Sequence, residues 1–287
     1  MSLDITNAQR AEILTQALPY IQNYNKKTIV IKYGGNAMIN EELKQQVMED
    51  IILLRLVGVR IVLVHGGGPE ITETLAKIGK ETVFVDGLRV TDKETADVVQ
   101  MVLAGKINKS LVNLLQIKGG KAMGISGIDG NLITAKPKDP RLGYVGTITD
   151  VNVEPIIDLI RHHYIPVVST VARDEEGNVY NINADTAAAY IAGALEAECL
   201  ISMTDIAGIL KDKDAPSTLI PKITVSEAKN LFEDGTISGG MIPKVECCLE
   251  AIARGVKKVF IMDGRVPHSL LIETLTDEGA GTMVVGD

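Results

Sequence analysis

The sequence predicts an α/β fold, a three-layer αβα sandwich around a mainly parallel central sheet, and three observations lead there. Short β-branched runs alternate with longer helical patterns along the chain. The first two runs, Thr28 to Lys32 and Arg60 to His65, each end in a glycine-rich turn that opens a further helical segment. Strand, turn and helix repeated in series make βαβ units, whose crossover helices cover both faces of a parallel sheet. With 287 residues, the chain can form one large domain or two lobes that share a sheet, and either buries a substantial core without staples.

The elements follow in order. Before the first strand, Leu14, Leu18 and Ile21 share one helical face, with Ala17, Tyr20 and Tyr24 beside it. Pro19 falls inside this pattern and lacks a backbone donor, so the spacing predicts a kinked helix. A helix from Glu41 to Val57 links the first two strands, and another starts at Pro69. Thr91-Asp92-Lys93-Glu94 reads as a capping box that opens a long helix toward Gln116. Later strands are expected at Ala122 to Ser126, Ile165 to Ser169, Cys199 to Met203 and Lys258 to Met262. Asp174 to Val179 and Gly143 to Thr149 look like hairpin material.

Composition removes several classes of function. A formal charge of −8 leaves no broad basic face for nucleic acid, and with no Trp and 3% aromatics there is no stacking platform for single strands. No apolar run approaches the ~20 residues of a membrane span. Met1 to Lys27 is too polar for a signal peptide. Cys199, Cys247 and Cys248 lack the spacing of a zinc site or a disulfide framework. The expectation is a soluble, cytoplasmic protein with neither nucleic acid nor membrane as partner.

The residues suited to chemistry sit at strand ends. Lys32-Tyr33-Gly34-Gly35 closes the first strand, where a lysine faces the ligand crevice and paired glycines admit a phosphoryl group to the backbone. A tight turn beside an exposed lysine is the alternative, and this segment alone does not choose. His65-Gly66-Gly67-Gly68-Pro69 closes the second strand before a helix N-terminus, an anion-binding arrangement. It fits neither a Walker A loop nor a dinucleotide fingerprint. His65 reads as structural.

Gly87-Leu88-Arg89 offers a guanidinium for a carboxylate, against a surface ion pair as the plainer reading. Asn181, Asn183 and Asp185 precede an alanine-rich helix, and a capping role accounts for one of them. Thr204-Asp205-Ile206-Ala207-Gly208 follows a strand, and Ser238-Gly239-Gly240-Met241-Ile242-Pro243-Lys244 again joins glycines, a helix-start proline and a lysine. No nucleophile triad and no clustered metal ligands are visible. Phosphoryl transfer to a carboxylate suits such a set, because a group with pKa near ~4.3 is ionised at neutral pH and needs no general base.

With these segments in view, the chain resembles the amino-acid kinase superfamily, and within it the branch that phosphorylates N-acetyl-L-glutamate in arginine biosynthesis. IKYGGNAM, VHGGGPEI, DGLRVTD, NINADTAA, MTDIAGIL and GGMIPK occur in the family's order across nearly the whole chain. The resemblance implies an amino-acid/carbamate kinase-like fold with an oligomerisation helix at 1–26, an acetylglutamate lobe at 27–195 and an ATP lobe at 196–287. It makes Lys32 and Lys244 the cations at the transferring phosphoryl group and Asp185 the acid that orients them. Gly35 would donate its amide to that group, Gly67 and Gly68 would hold the reacting carboxylate, and Arg89 and Asn181 the rest of N-acetyl-L-glutamate. Thr204, Asp205, Gly208, Gly239, Gly240 and Met241 would line the nucleotide site. ATP and Mg2+ are the implied cofactors, with no side-chain ligand assigned to the metal.

Arginine-sensing members pair such an N-terminal helix with a C-terminal segment like this one. The resemblance therefore implies feedback inhibition by L-arginine through Tyr20, His268, Glu273 and Gly281, and a homo-oligomer, a hexamer built as a trimer of dimers. A nitrogen-signalling protein is a further possible partner. The competing readings are an acylated-aminoadipate kinase of lysine biosynthesis and a catalytically inactive arginine-binding regulator.

Overall fold

In the computed structural model, which describes residues 5–38, 40–212 and 215–287, the alternating pattern resolves into one large sheet with helices on both faces. The first four residues of the expected N-terminal segment lie outside the described residues. Two helices come first, α1 (Asn7–Gln16) and α2 (Leu18–Tyr24), meeting at Ala17. Pro19 sits in the first turn of α2, where its missing N–H costs nothing, so the expected kink is a clean break between two helices.

Next come β1 (Thr28–Tyr33), α3 (Glu41–Leu56), β2 (Arg60–His65), α4 (Gly68–Lys77), and a hairpin of β3 (Phe84–Val85) and β4 (Leu88–Arg89). Helix α5 (Lys93–Gln100) runs through a π-helical stretch, Met101–Ile107, into α6 (Asn108–Ile117). The middle of the chain holds β5 (Ala122–Ser126), β6 (Ile133–Pro137), β7 (Gly146–Val151), α7 (Glu154–Arg161), β8 (Ile165–Ser169), β9 (Val171–Arg173) and β10 (Val179–Asn181). The remainder is α8 (Ala184–Ala194), β11 (Cys199–Thr204), β12 (Lys222–Thr224), α9 (Val225–Glu233), α10 (Ile242–Ala253), β13 (Lys258–Asp263), α11 (Ser269–Leu275) and β14 (Gly281–Val285).

Eight strands form the main sheet in the order β12-β14-β13-β11-β1-β2-β8-β5, parallel except for β14 against β13. Its central strands are buried on both faces, which is why they read as continuous apolar runs with no alternation. One core packs α3, α6 and α11 against one face, and a second packs α8 and α10 against the other. A four-stranded sheet, β10-β9-β6-β7, stands beside it and contains both segments expected as hairpin material.

The capping box does not form. The N-cap of α5 is Asp92, whose side chain accepts from the Thr95 N–H, while Thr91 is buried and donates to the Arg89 carbonyl at 2.8 Å. Glu94 turns outward to Lys80 at 2.7 Å. A carboxylate is at least as good a cap as a hydroxyl, so the helix starts one residue later than expected.

Candidate functional site

The sheet order decides the site, because it sets the glycine turns after β1 and β2 side by side at the carboxyl ends of adjacent strands. In register, Lys32 lies opposite Val64 on β2 and Ser202 on β11, and Tyr33 opposite His65. Lys32 is only 7% exposed, and its Nζ lies 3.1 Å from Asp185 Oδ1. Ser202 donates its hydroxyl to the same oxygen at 3.2 Å. Asp185 is held at the start of α8 by Asn183, whose side chain accepts from the Asp185 and Thr186 N–H groups at 2.9 and 3.1 Å. Burial of Asp185 works to raise its pKa, but Lys32 and Lys244 together outweigh this, so it stays ionised below the usual carboxylate range.

Asp185 stands in a wall shared by two cavities. On one side lies a cavity of about 230 Å³ that gathers Lys32, Gly35, Gly67, Gly68, Arg89, Asn181 and Asp185. Gly67, Gly68, Arg89 and Asn181 are the expected substrate residues, and they meet here two of the expected catalytic residues, Lys32 and Asp185, and Gly35 of the phosphate loop, drawn from widely separated parts of the chain. Gly68 has open space where a Cβ would project. Gly67 is a glycine for packing: a Cβ there would overlap Ile107 Cδ1, so the π-helical stretch is seated against this turn.

Arg89 is delivered by the β3–β4 hairpin, whose Asp86-Gly87 turn takes positive φ at both residues, 50° and 76°. Arg89 is 6% exposed, and its guanidinium donates to the Gly68 carbonyl and Thr72 hydroxyl at 2.9 Å each and lies 4.9 Å from the Phe84 ring centroid. No carboxylate among the described residues pairs with it, and burial lowers its pKa. A surface ion pair is therefore excluded as the role of Arg89. A buried cation without an acid, opening onto a cavity, is a place for an anion.

On the other side of Asp185, a cleft of about 650 Å³ contains Lys244, Gly240 and Cys247. Of the expected nucleotide residues, only Gly240 lines this cleft, and Thr204, Asp205, Gly208, Gly239 and Met241 line neither cavity. Asp205 still meets the first glycine turn: its Oδ1 lies 2.6 Å from where a Gly35 Cβ would be, and Gly35 has φ +72°. Gly208 answers to packing, because a side chain there would meet Thr282 Oγ1 at 2.5 Å, the hydroxyl that accepts from the Ile209 N–H. Gly239 and Gly240 have open space at the Cβ position.

The expected effector residues are each engaged. Tyr20 donates to Asp277, His268 Nδ1 lies 2.6 Å from Asp50 Oδ1, and Glu273 accepts from the Ala280 N–H at 2.6 Å. Gly281 is paired with Met262 in the sheet, where a side chain would overlap the Ile261 carbonyl. Burial raises the pKa of Glu273, while the Ala280 N–H and Lys258 work to lower it.

Sequence reasoning passed over Asn183 and Ser202 as site residues. The β3–β4 hairpin was findable by its Asp-Gly turn between Phe84-Val85 and Leu88-Arg89. Among the described residues, no helix is long and apolar enough to cross a membrane.

Parallel strands that end in two adjacent glycine turns are the fold of the amino acid kinases. The chain belongs to the amino acid kinase family, which matches residues 27–263. Within it the chain groups with the acetylglutamate kinases. That of Brachyspira hyodysenteriae is 58% identical over 98% of both chains, and that of Clostridium kluyveri 54% identical over 96% of this chain and 98% of its own. In structure, the N-acetylglutamate synthase of Neisseria gonorrhoeae, complexed with coenzyme A and N-acetyl-glutamate, superposes with a TM-score of 0.84 at 26% identity over 96% of this chain. The chain spans 63% of that synthase's length.

Proposed function

We propose that the enzyme transfers the γ-phosphoryl group of ATP to the γ-carboxylate of N-acetyl-L-glutamate, giving N-acetyl-L-glutamyl 5-phosphate and ADP for arginine biosynthesis. The observation that carries this reading is the buried Arg89 guanidinium, without a carboxylate of its own, in the same cavity as Lys32 and Asp185. A substrate with two carboxylates fits that pairing. One is held by Arg89 with Asn181, and the other is presented by Gly67 and Gly68 toward the lysines.

The ionised carboxylate oxygen attacks the γ-phosphorus. An O–P bond forms as the bond to the bridging β,γ oxygen breaks, and ADP leaves with the electron pair. No proton moves at the reacting carboxylate, so the residues act by position and charge. Lys32 and Lys244 neutralise the transferring group from opposite sides of Asp185, which holds both in place. Gly35 donates its amide to that group, and Thr204, Asp205, Gly208, Gly239, Gly240 and Met241 form the nucleotide side. Mg2+ is assigned to the nucleotide, arriving as its complex with ATP. When bound with ATP, that ion would supply further charge neutralisation.

We assign residues 27–195 to the substrate lobe and 196–287 to the nucleotide lobe, which occupy opposite halves of the main sheet. Residues 1–26 form the oligomerisation element. L-Arginine is the feedback inhibitor, with its guanidinium on Glu273 of α11, a helix that packs against α2. The test of the activity is a panel of N-acylated amino acids with ATP and Mg2+, with acyl phosphate trapped by hydroxylamine. Hydroxamate is expected from N-acetyl-L-glutamate; a product from N-acetyl-L-aminoadipate alone would overturn the assignment.

A further inference from the structure

His65 is fully buried at the end of β2, one residue before the glycine turn, and it is held from both sides. Its Nδ1 lies 2.9 Å from the Gly66 carbonyl oxygen. A carbonyl can only accept, so Nδ1 carries the proton and Nε2 presents its lone pair. Asn108 Nδ2 meets that lone pair at 3.2 Å and also reaches the Val167 carbonyl at 2.9 Å. Asn108 is itself fully buried, and its Oδ1 receives Lys109 Nζ at 3.1 Å. Burial, with Lys109 nearby, holds the His65 pKa down at about 4, so the ring stays neutral although its bond to Gly66 favours the charged form.

The peptide between Gly66 and Gly67 is planar and trans, so its C=O and N–H point in opposite directions. Tying the Gly66 oxygen to the His65 ring therefore commits the Gly67 N–H to the side away from that ring. Gly66 and Gly67 both line the substrate cavity, and the Gly67 N–H has no acceptor among the described residues. The π-helical stretch sets the phase of this arrangement. Its end is marked by the Asn108 N–H bonding to the Leu103 carbonyl five residues back. This phase puts Ile107 against Gly67 and Asn108 against His65 in consecutive positions.

We propose that His65 and Asn108 are positioning residues for the reaction: they fix the Gly66–Gly67 peptide so that the Gly67 amide is aimed at the reacting carboxylate. This rests on the function proposed above. The amide acts on charge that is redistributed in the transition state, so losing its aim lowers turnover more than it weakens binding of ATP.

The test measures kcat and both KM values by hydroxamate trapping with N-acetyl-L-glutamate and ATP, for His65→Leu, His65→Asn and Asn108→Leu. His65→Leu removes the donor, and its kcat should fall roughly tenfold or more, with the KM for ATP within about twofold of the parent. His65→Asn keeps an N–H near the Nδ1 position and should recover most of that loss. Asn108→Leu leaves the ring tautomer unset and should fall between them. Parent turnover in His65→Leu, or in Asn108→Leu should the first variant not fold, overturns the inference while leaving the function standing. Equal loss in His65→Asn and His65→Leu also overturns it. A parent inactive on every acylated amino acid removes the function, and this inference with it.

Discussion

Lys32 and Asp185 join a structural ion pair to the chemical role proposed for them. A lysine buried at the end of a central strand is tolerated because Asp185 lies 3.1 Å away, and Asp185 stays ionised because Lys244 adds a second positive charge. Removing either lysine takes away charge needed most in the transition state. Lys32→Ala and Lys244→Ala should each lower kcat by on the order of 100-fold or more, with smaller changes in substrate KM. Steady-state kinetics check this, and unchanged turnover in both variants removes the assignment. Arg89→Lys replaces a planar fork with a point charge and should raise the KM for N-acetyl-L-glutamate with a smaller effect on kcat. An effect confined to ATP would place Arg89 in the wrong half of the site. At this scale position alone left Lys32, Arg89 and Asp185 open, and their roles came from the motifs they share with the family. Ser202 and Asn108 were not legible, because a lone polar residue in an apolar segment gains meaning only from its neighbour across the sheet or helix.

Among elements, the contact between the π-helical stretch and the second glycine turn makes a prediction of its own. Gly67→Ala drives a methyl into Ile107 and Leu103 and should cost about 1–3 kcal/mol of stability. Ile107→Val removes the methyl that is overlapped, so the double variant should be more stable than the sum of the single changes, as chemical denaturation can measure. Simple additivity would mean that the two segments do not press on one another.

A second elemental link joins α3 to the start of α11 through Asp50 and His268. Asp50 is 1% exposed, and its Oδ2 has no partner among the described residues. Burial raises its pKa to about 6; His268 works against this, and Glu49 adds to it. The folded state therefore prefers protonated Asp50. Its stabilising contribution is present below the unfolded pKa, near ~4, and is lost as pH rises through the folded value. Asp50→Asn keeps the acceptor for His268 and does not titrate. It should match the parent at ~pH 3.5, below the unfolded pKa, and exceed it at ~pH 8, by at most on the order of 2–3 kcal/mol. A difference that stays flat with pH in thermal or urea melts would contradict this.

For the whole molecule, the N-terminal helices pose the main question. Helix α1 buries no residue, and Leu14 is 74% exposed, with Ile13 and Leu18 also turned to solvent. Exposed apolar side chains without cover in their own chain suit the proposed contact between dimers. Deleting residues 1–24 should leave an active dimer. A truncated protein that still sediments as a hexamer would contradict that role. The same truncation tests inhibition. L-Arginine should raise the N-acetyl-L-glutamate requirement of the parent, and Glu273→Ala should abolish the effect. Inhibition that survives both Glu273→Ala and the deletion rules out this site. Since coupling between binding sites is reciprocal, N-acetyl-L-glutamate should weaken arginine binding by the same factor.

By itself the sequence determined the parallel sheet, the strand boundaries near the site and the glycine turns, because apolar period, β-branching and turn residues act over a few neighbouring positions. It also carried the family, through motifs kept in order. Tertiary structure alone decided which strands are neighbours, and so that the turns after β1 and β2 share a cavity with Arg89 and Asp185. It decided as well that Gly67 and Gly208 answer to packing, that Asp92 and not Thr91 caps α5, and that His65 and Asn108 meet. The cap aside, each of these depends on contacts between residues tens of positions apart or more, and local propensity carries no information about a partner that only folding supplies.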